Sequence, residues 1–149
     1  MTTDFLLASA HHVLVFALMA ALAAELVLVR PGMAADAINR IARIDGAYGG
    51  LSLAVILVGV ARVIWGIKGY ETYITNVWFW HKMAVFLIVG LLSILPTLRF
   101  MRWRKAAAAN PAYVTPDDEV RAARRFMHAE AGLFLLIPIF AAAMARFGA

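Results

Sequence analysis

The sequence contains no cysteine and few charged residues, and both shortages exclude whole classes of function. Without a thiol, the chain cannot form disulfides, perform thiol catalysis, or bind a metal cluster or haem through cysteine. Charged residues make up 15% of the chain, against roughly 25% in an ordinary soluble domain. This argues against a soluble enzyme, a nucleic-acid-binding module and a disordered tail.

Apolar residues take the place of the missing charges. They make up 64% of the 149 residues, and the mean hydropathy is +0.80. A bilayer is crossed by about 20 apolar residues in a helix, and four stretches qualify: about 5–29, 46–66, 78–100 and 126–147. We therefore predict an all-α integral membrane protein, a four-helix transmembrane bundle. It should form a single domain over residues 1–149, lie in the lipid bilayer, and assemble as a homodimer or larger complex.

Two segments outside this simple pattern also carry predictions. The first stretch lacks the positive n-region of a signal peptide and is too long for an h-region, so we expect it to be retained. The connection from Met33 to Asp45 mixes Ile38 and Ile41 with charged residues. It predicts a short amphipathic helix lying along the membrane surface.

The distribution of lysine and arginine predicts the orientation. Ten of these residues flank the first and third connections, and four lie on the other side. Because cytoplasmic loops carry the excess of positive charge, both termini should face the periplasm of a bacterial inner membrane. We expect a multi-pass protein of the inner (cytoplasmic) membrane with no nucleic-acid partner.

Three ionisable residues should meet near the predicted periplasmic side. His11, Arg62 and Lys82 each lie four or five residues inside their spans, roughly 6–8 Å below the interface at 1.5 Å per residue. Intramembrane ionisable groups normally face the bundle interior, and buried charges without partners are costly. An anionic ligand would resolve this cost. Haem b fits, because imidazole ligates haem iron and arginine and lysine donate to propionates.

The haem hypothesis assigns a role to each residue. His11 is the primary axial ligand to the iron, Arg62 and Lys82 hold the propionates, and Trp78 shares the polar face of Lys82. His81, His12, a methionine or no residue supplies the second ligand. Two alternatives stay open: Arg62 and Lys82 reach the headgroups while His11 bonds a neighbouring helix, or the site binds another anion such as a lipid phosphate.

A second polar cluster is predicted near the opposite interface. Glu25 paired with Arg125 or His128 forms either a proton-relay pair or a structural ion pair between the first and fourth spans, and we favour the ion pair because charge costs less near the interface. By the same depth argument, the cluster contains Glu25, Asp45, Tyr48, Arg125, His128 and Glu130.

Several sequence segments resemble those of a family of small four-helix bacterial membrane proteins of unknown function, the DUF2214 type. The resemblance covers nearly the whole chain and implies four spans without implying an activity. The segments that carry the resemblance are HHVLVFAL (11–18), RIDGAYG (43–49), GLLSILPT (90–97) and RWR (102–104).

More distantly, the chain resembles HemJ-type protoporphyrinogen oxidases and CopD-type membrane domains. HemJ-type proteins carry a histidine early in span one, matched by His11 or His12, and a Trp-x-His-x-Lys-Leu motif at the start of span three. The corresponding sequence here is WFWHKM (78–83). Trp78 and Lys82 match in register, whereas the family histidine falls on Trp80 and His81 is displaced by one. The resemblance implies haem b.

These observations lead to one functional hypothesis and one alternative. The first is a haem-b-binding inner-membrane redox protein that passes electrons from a quinol or porphyrin-like reductant to an acceptor, including the possibility of a HemJ-like membrane oxidoreductase. No catalytic residue is assigned. The alternative is a cofactor-free accessory subunit or a component of a small-solute permease.

Overall fold

The structure is a computed structural model that describes residues 2–147, all of them in helices or short connections. Three helices, and α5 with α6 taken together, are long and apolar enough to cross a membrane. This confirms the predicted all-α bundle of four spans. The helices are α1 (Thr2–Leu28), α2 (Ala35–Trp65), α3 (Gly69–Ile74), α4 (Val77–Ala109), α5 (Asp117–Phe134) and α6 (Leu136–Phe147).

The bundle has two distinct ends. At the termini end, a carboxylate oxygen of Asp4 accepts a hydrogen bond from the backbone N–H of Ile67 at 3.3 Å. There Asn76 also donates to the carbonyl of Met144 at 3.3 Å, so both ends of the described chain lie beside α3. At the loop end lie the connections 29–34 and 110–116. Which end faces the periplasm stays a prediction.

The outer surface of the bundle is apolar along its length. Phe16 on α1 is 74% exposed and Val27 is 79% exposed. Such an extended apolar surface needs lipid or an apolar partner to cover it. The interior of the central section is a cluster of buried side chains from α1, α2, α4, α5 and α6: Leu18, Leu22, Tyr48, Val55, Val85, Val89, Phe134 and Ile137.

Helix α2 begins at Ala35, eleven residues before the predicted span that starts at residue 46. The predicted surface helix over 33–45 is wrong, because residues 35–45 continue without a break into the span. Ile38 and Ile41 are both 1% exposed and pack in a cluster with Trp103 and Val120. This burial outside the predicted span keeps the segment upright against α4 and α5.

Polar contacts stabilise the loop end. The indole N–H of Trp103 donates to Glu119 at 2.7 Å, and Arg102 donates to the same carboxylate at 3.0 Å. Two hydrogen bonds join the two connections. The backbone N–H of Met33 donates to the hydroxyl of Thr115 at 3.0 Å, and the backbone N–H of Thr115 donates to the carbonyl of Met33 at 3.1 Å. The loop end is therefore a packed region with a core of its own.

The fourth span bends where α5 ends at Phe134 and α6 begins at Leu136. Pro138 has no backbone N–H and cannot donate to the carbonyl of Phe134, four residues earlier. The amide of Leu135 makes only a long hydrogen bond of 3.4 Å to Ala131. Beyond this point, α6 packs against α4.

Candidate functional site

A cavity of about 260 Å³ lies at the termini end, and His11, Arg62 and Lys82 all line it. They come from α1, α2 and α4, so the bundle brings together three residues that are far apart in the sequence. We call this space the termini-end cavity. Its apolar wall includes Leu18, Val55, Phe79, Phe86, Ile137 and Met144.

The position of His11 depends on a glycine of the facing helix. A Cβ atom placed on Gly59 would lie 3.5 Å from Cε1 of His11. The absent side chain lets the imidazole pack directly against the α2 backbone, as small residues do between membrane helices. Any side chain larger than alanine at position 59 would reach into the space occupied by His11.

The position of Lys82 follows from the start of α4. The side chain of Asn76 caps this helix by accepting a hydrogen bond from the Trp78 amide at 2.9 Å, which satisfies one of the free N–H groups of the first turn. Just over one turn later, Nζ of Lys82 lies 5.5 Å from the centre of the Phe79 ring. This is within the range of a cation–π contact.

The termini-end cavity has basic groups without acidic ones. No aspartate or glutamate occurs among the described residues that line it. Nδ1 of His11 and Nε of Arg62 are buried without a hydrogen-bond partner. Within residues 2–147, the arginine–carboxylate ion pairs all involve Glu119 at the opposite end. Buried polar groups normally have partners, so this arrangement suits a ligand with an anionic group.

The cavity opens sideways between α2 and α4. Ile56, Val60, Ile64 and Met83 line it and are also 41–57% exposed on the outside of the bundle. A ligand dissolved in the bilayer can therefore reach the basic groups without passing through water.

The other histidines near this end do not line the cavity. His12 is exposed, and its Nδ1 lies 2.6 Å from the Ala8 carbonyl. His81 is also exposed, and its Nδ1 lies 2.9 Å from the Val77 carbonyl. Trp78 stacks on Phe140 with the ring centres 6.1 Å apart. The structure thus brings His11, Arg62 and Lys82 together and leaves His12, His81 and Trp78 outside the lining.

Tyr73 is a lining residue that sequence reasoning missed. It lies on α3, is 8% exposed, and contributes to the cavity wall. Its sequence context, a short aromatic-rich connection between spans, resembles an interfacial belt. No pattern within the connection distinguishes the one buried tyrosine from its exposed neighbour Tyr70.

A second polar group lies towards the loop end, in the carboxyl cluster, which we define as Glu25, Asp45, Tyr48, Thr97 and Glu130. The Tyr48 hydroxyl donates to Oε1 of Glu130 at 2.6 Å. The Thr97 hydroxyl donates to Oδ1 of Asp45 at 2.7 Å. Thr97 was not predicted as a member, although Ser93 and Thr97 place hydroxyls one turn apart in an apolar span.

Arg125 and His128 do not join this cluster. Both are exposed, and Nδ1 of His128 lies 2.6 Å from the Arg124 carbonyl. Neither forms the predicted ion pair with Glu25 in the described part of the chain. The reason is the rotation of α5, whose buried face repeats every three or four residues: Val120, Ala123, Met127, Glu130 and Phe134.

The described residues contain no group of three or more histidine, aspartate or glutamate side chains that could hold a metal ion directly.

The comparisons with known proteins place the chain in a family. Residues 3–148 match the family model DUF2214, described as a predicted membrane protein. No curated protein and no solved structure shows significant similarity to the chain. The chain is therefore a membrane protein that belongs to the DUF2214 family.

Proposed function

We propose that the termini-end cavity binds haem b and that the protein is a membrane redox protein. One observation carries this proposal: His11, Arg62 and Lys82 line one lipid-accessible cavity that has no acidic residue among its described lining. Haem b would supply one-electron exchange with a quinol or porphyrin-like reductant in the bilayer.

The donor set of the cavity supports this ligand. His11 offers an imidazole to the iron, and its buried Nδ1 has no protein partner. Arg62 and Lys82 offer donors to the two propionates. The apolar wall suits the faces of the porphyrin, and bundle interiors commonly hold such cofactors. At about 260 Å³, the cavity is smaller than the roughly 300–1,000 Å³ of typical small-molecule sites, so a macrocycle would have to extend into the opening between α2 and α4.

A methionine of the lining would be the second protein ligand to the haem. Met83 and Met144 both line the cavity, whereas His12 and His81 lie outside it. The proposal therefore rests on His11 as the one histidine ligand. The bacterial inner membrane and a periplasmic termini end belong to the same proposal and rest on the distribution of lysine and arginine.

Adjacent histidines provide a matched test of the ligand. The variants His11→Ala and His12→Ala would be purified in mild detergent from cells with adequate haem supply, and the haem per chain measured as the pyridine haemochrome. We expect His11→Ala to lose haem and His12→Ala to retain it, because only His11 lines the cavity. Equal haem contents in two folded variants would remove His11 from this role.

A further inference from the structure

The carboxyl cluster holds three acidic side chains without a basic partner. Glu25 comes from α1, Asp45 from α2 and Glu130 from α5. The titratable groups that interact electrostatically within it are these three acids and Tyr48, and α4 contributes only the uncharged Thr97. Three carboxylates cannot all stay ionised so close together in a low-dielectric interior without a cation.

Glu25 is the member with no bond of its own. It is 3% exposed, and its Oε1 has no hydrogen-bond partner. Its carboxyl group is close enough to those of Asp45 and Glu130 for electrostatic interaction with both. A buried carboxyl group near two other acids is costly unless a cation neutralises it.

A second cavity connects this cluster to the outside of the bundle. It measures about 530 Å³, lies between α2 and α4, and is lined by Asp45, Tyr48 and Thr97. Ser52 and Ser93 add hydroxyl groups to the same wall. We call it the loop-end cavity. Ala42 and Met101 extend this cavity past the predicted spans towards the loop end. Water molecules ordered there by its hydroxyl and carboxyl groups would give Asp45 and Tyr48 a route to solvent.

The proton is the cation that best fits these observations. A metal ion needs several ligands in direct contact, and no such group exists among the described residues. By contrast, the hydrogen bond of 2.6 Å from Tyr48 to Glu130 already links the cavity wall to the buried acids. We propose that the carboxyl cluster is a proton-binding site that exchanges protons with the loop-end cavity through Tyr48 and Asp45.

The proposal assigns roles to three residues. Glu25 and Glu130 bind the proton in the interior, and the Tyr48 hydroxyl passes a proton between Glu130 and the cavity by accepting one as it donates another. At roughly 1.5 Å per residue, the 14 residues from His11 to Glu25 separate these two side chains by about 21 Å along α1. His11 and Glu25 therefore lie in opposite halves of the bundle, and no residue of the carboxyl cluster lines the termini-end cavity, so the proton site does not depend on haem.

Dicyclohexylcarbodiimide tests the bound proton, since this apolar reagent modifies protonated carboxyl groups. The full-length protein in liposomes would be treated with it, and the adduct located by mass spectrometry. We expect an adduct on Glu25 or Glu130 that declines as the pH rises. The double variant Glu25→Gln, Glu130→Gln should lose it. Glu71→Gln should keep it, because Glu71 is an exposed acid at the termini end.

A second measurement keeps the proposal testable if the glutamine variants fail to fold. Infrared spectra of the wild-type protein in liposomes should contain the C=O band of a buried carboxylic acid. In Tyr48→Phe, this band should persist, but its shift after transfer to D₂O should be slower because the route from the cavity is interrupted. Exchange at the wild-type rate would overturn the role of Tyr48.

Other outcomes would overturn the proton site itself. The absence of both an adduct and an acid band would mean that the cluster carries no bound proton. Protection from the carbodiimide by sodium ions or by an organic cation, at constant pH, would mean that a different cation occupies it.

Discussion

Trp103 provides a quantitative test of the loop-end core. Its side chain is 1% exposed, and its indole N–H donates to Glu119 at 2.7 Å. Replacing it with phenylalanine keeps a buried aromatic ring but removes a hydrogen bond to a charged group, at a cost of about 1.5–3 kcal/mol. The void left by the missing part of the ring adds about 1 kcal/mol. Glu119 keeps its bond to Arg102 at 3.0 Å, so no orphaned charge increases the total.

We therefore expect Trp103→Phe to destabilise the protein by about 2.5–4 kcal/mol, which lowers Tm by about 5–15 °C. Thermal unfolding in mild detergent, followed by circular dichroism, measures this shift. Trp80→Phe is the matched control, because Trp80 is 56% exposed and its indole donates to the backbone carbonyl of Ile74. Equal Tm values for the two variants would refute the claim that the loop end contains a stabilising core.

Two further predictions concern the termini-end cavity and the orientation. Gly59→Leu should abolish haem binding, measured as haem per chain, because the new side chain would displace His11; Gly50→Leu should not, since nothing lies within 4 Å of a Cβ there. In spheroplasts, an impermeant maleimide should label Thr3→Cys and not Ala109→Cys, both exposed positions in a chain without other cysteines. The reverse labelling pattern would contradict the predicted orientation and place both termini in the cytoplasm.

Which residues meet at a given depth could be predicted from the sequence. The rise along a helix is constant, and neighbouring spans run antiparallel, so distance from a span end translates directly into depth. This argument places His11, Arg62 and Lys82 at one level, and the structure has all three on one cavity. The same reasoning places Glu25 at the level of Asp45 and Tyr48.

Rotation about the helix axis was harder to predict. On α5, Arg125 and His128 have the right depth for the carboxyl cluster but lie away from the buried face that contains Glu130. On α4, the His81 ring lies against the carbonyl of Val77 on its own helix and not in the cavity. Depth does not determine the direction of a side chain, and a polar residue at the margin of a span has more than one way to satisfy its hydrogen bonds.

The helix ends depended on packing that hydropathy does not report. A hydropathy profile ends a span where charged residues begin. A helix continues beyond that point when the apolar residues of its next turns are buried in a core. Ile38 and Ile41 are buried in this way beside Trp103. The early start of α2 is therefore a tertiary effect, and sequence periodicity alone made the segment look like a separate surface helix.

The reduced-minus-oxidised visible spectrum of the purified wild-type protein tests the central proposal most directly. Cells would be grown with adequate haem supply, and the haem would be counted against chains by the pyridine haemochrome. The proposal predicts a b-type α-band and a sharp Soret shift at about one haem per chain, as expected for a haem held by a protein ligand. A flat spectrum from folded protein would contradict it and favour the cofactor-free alternative, an accessory subunit or a component of a small-solute permease.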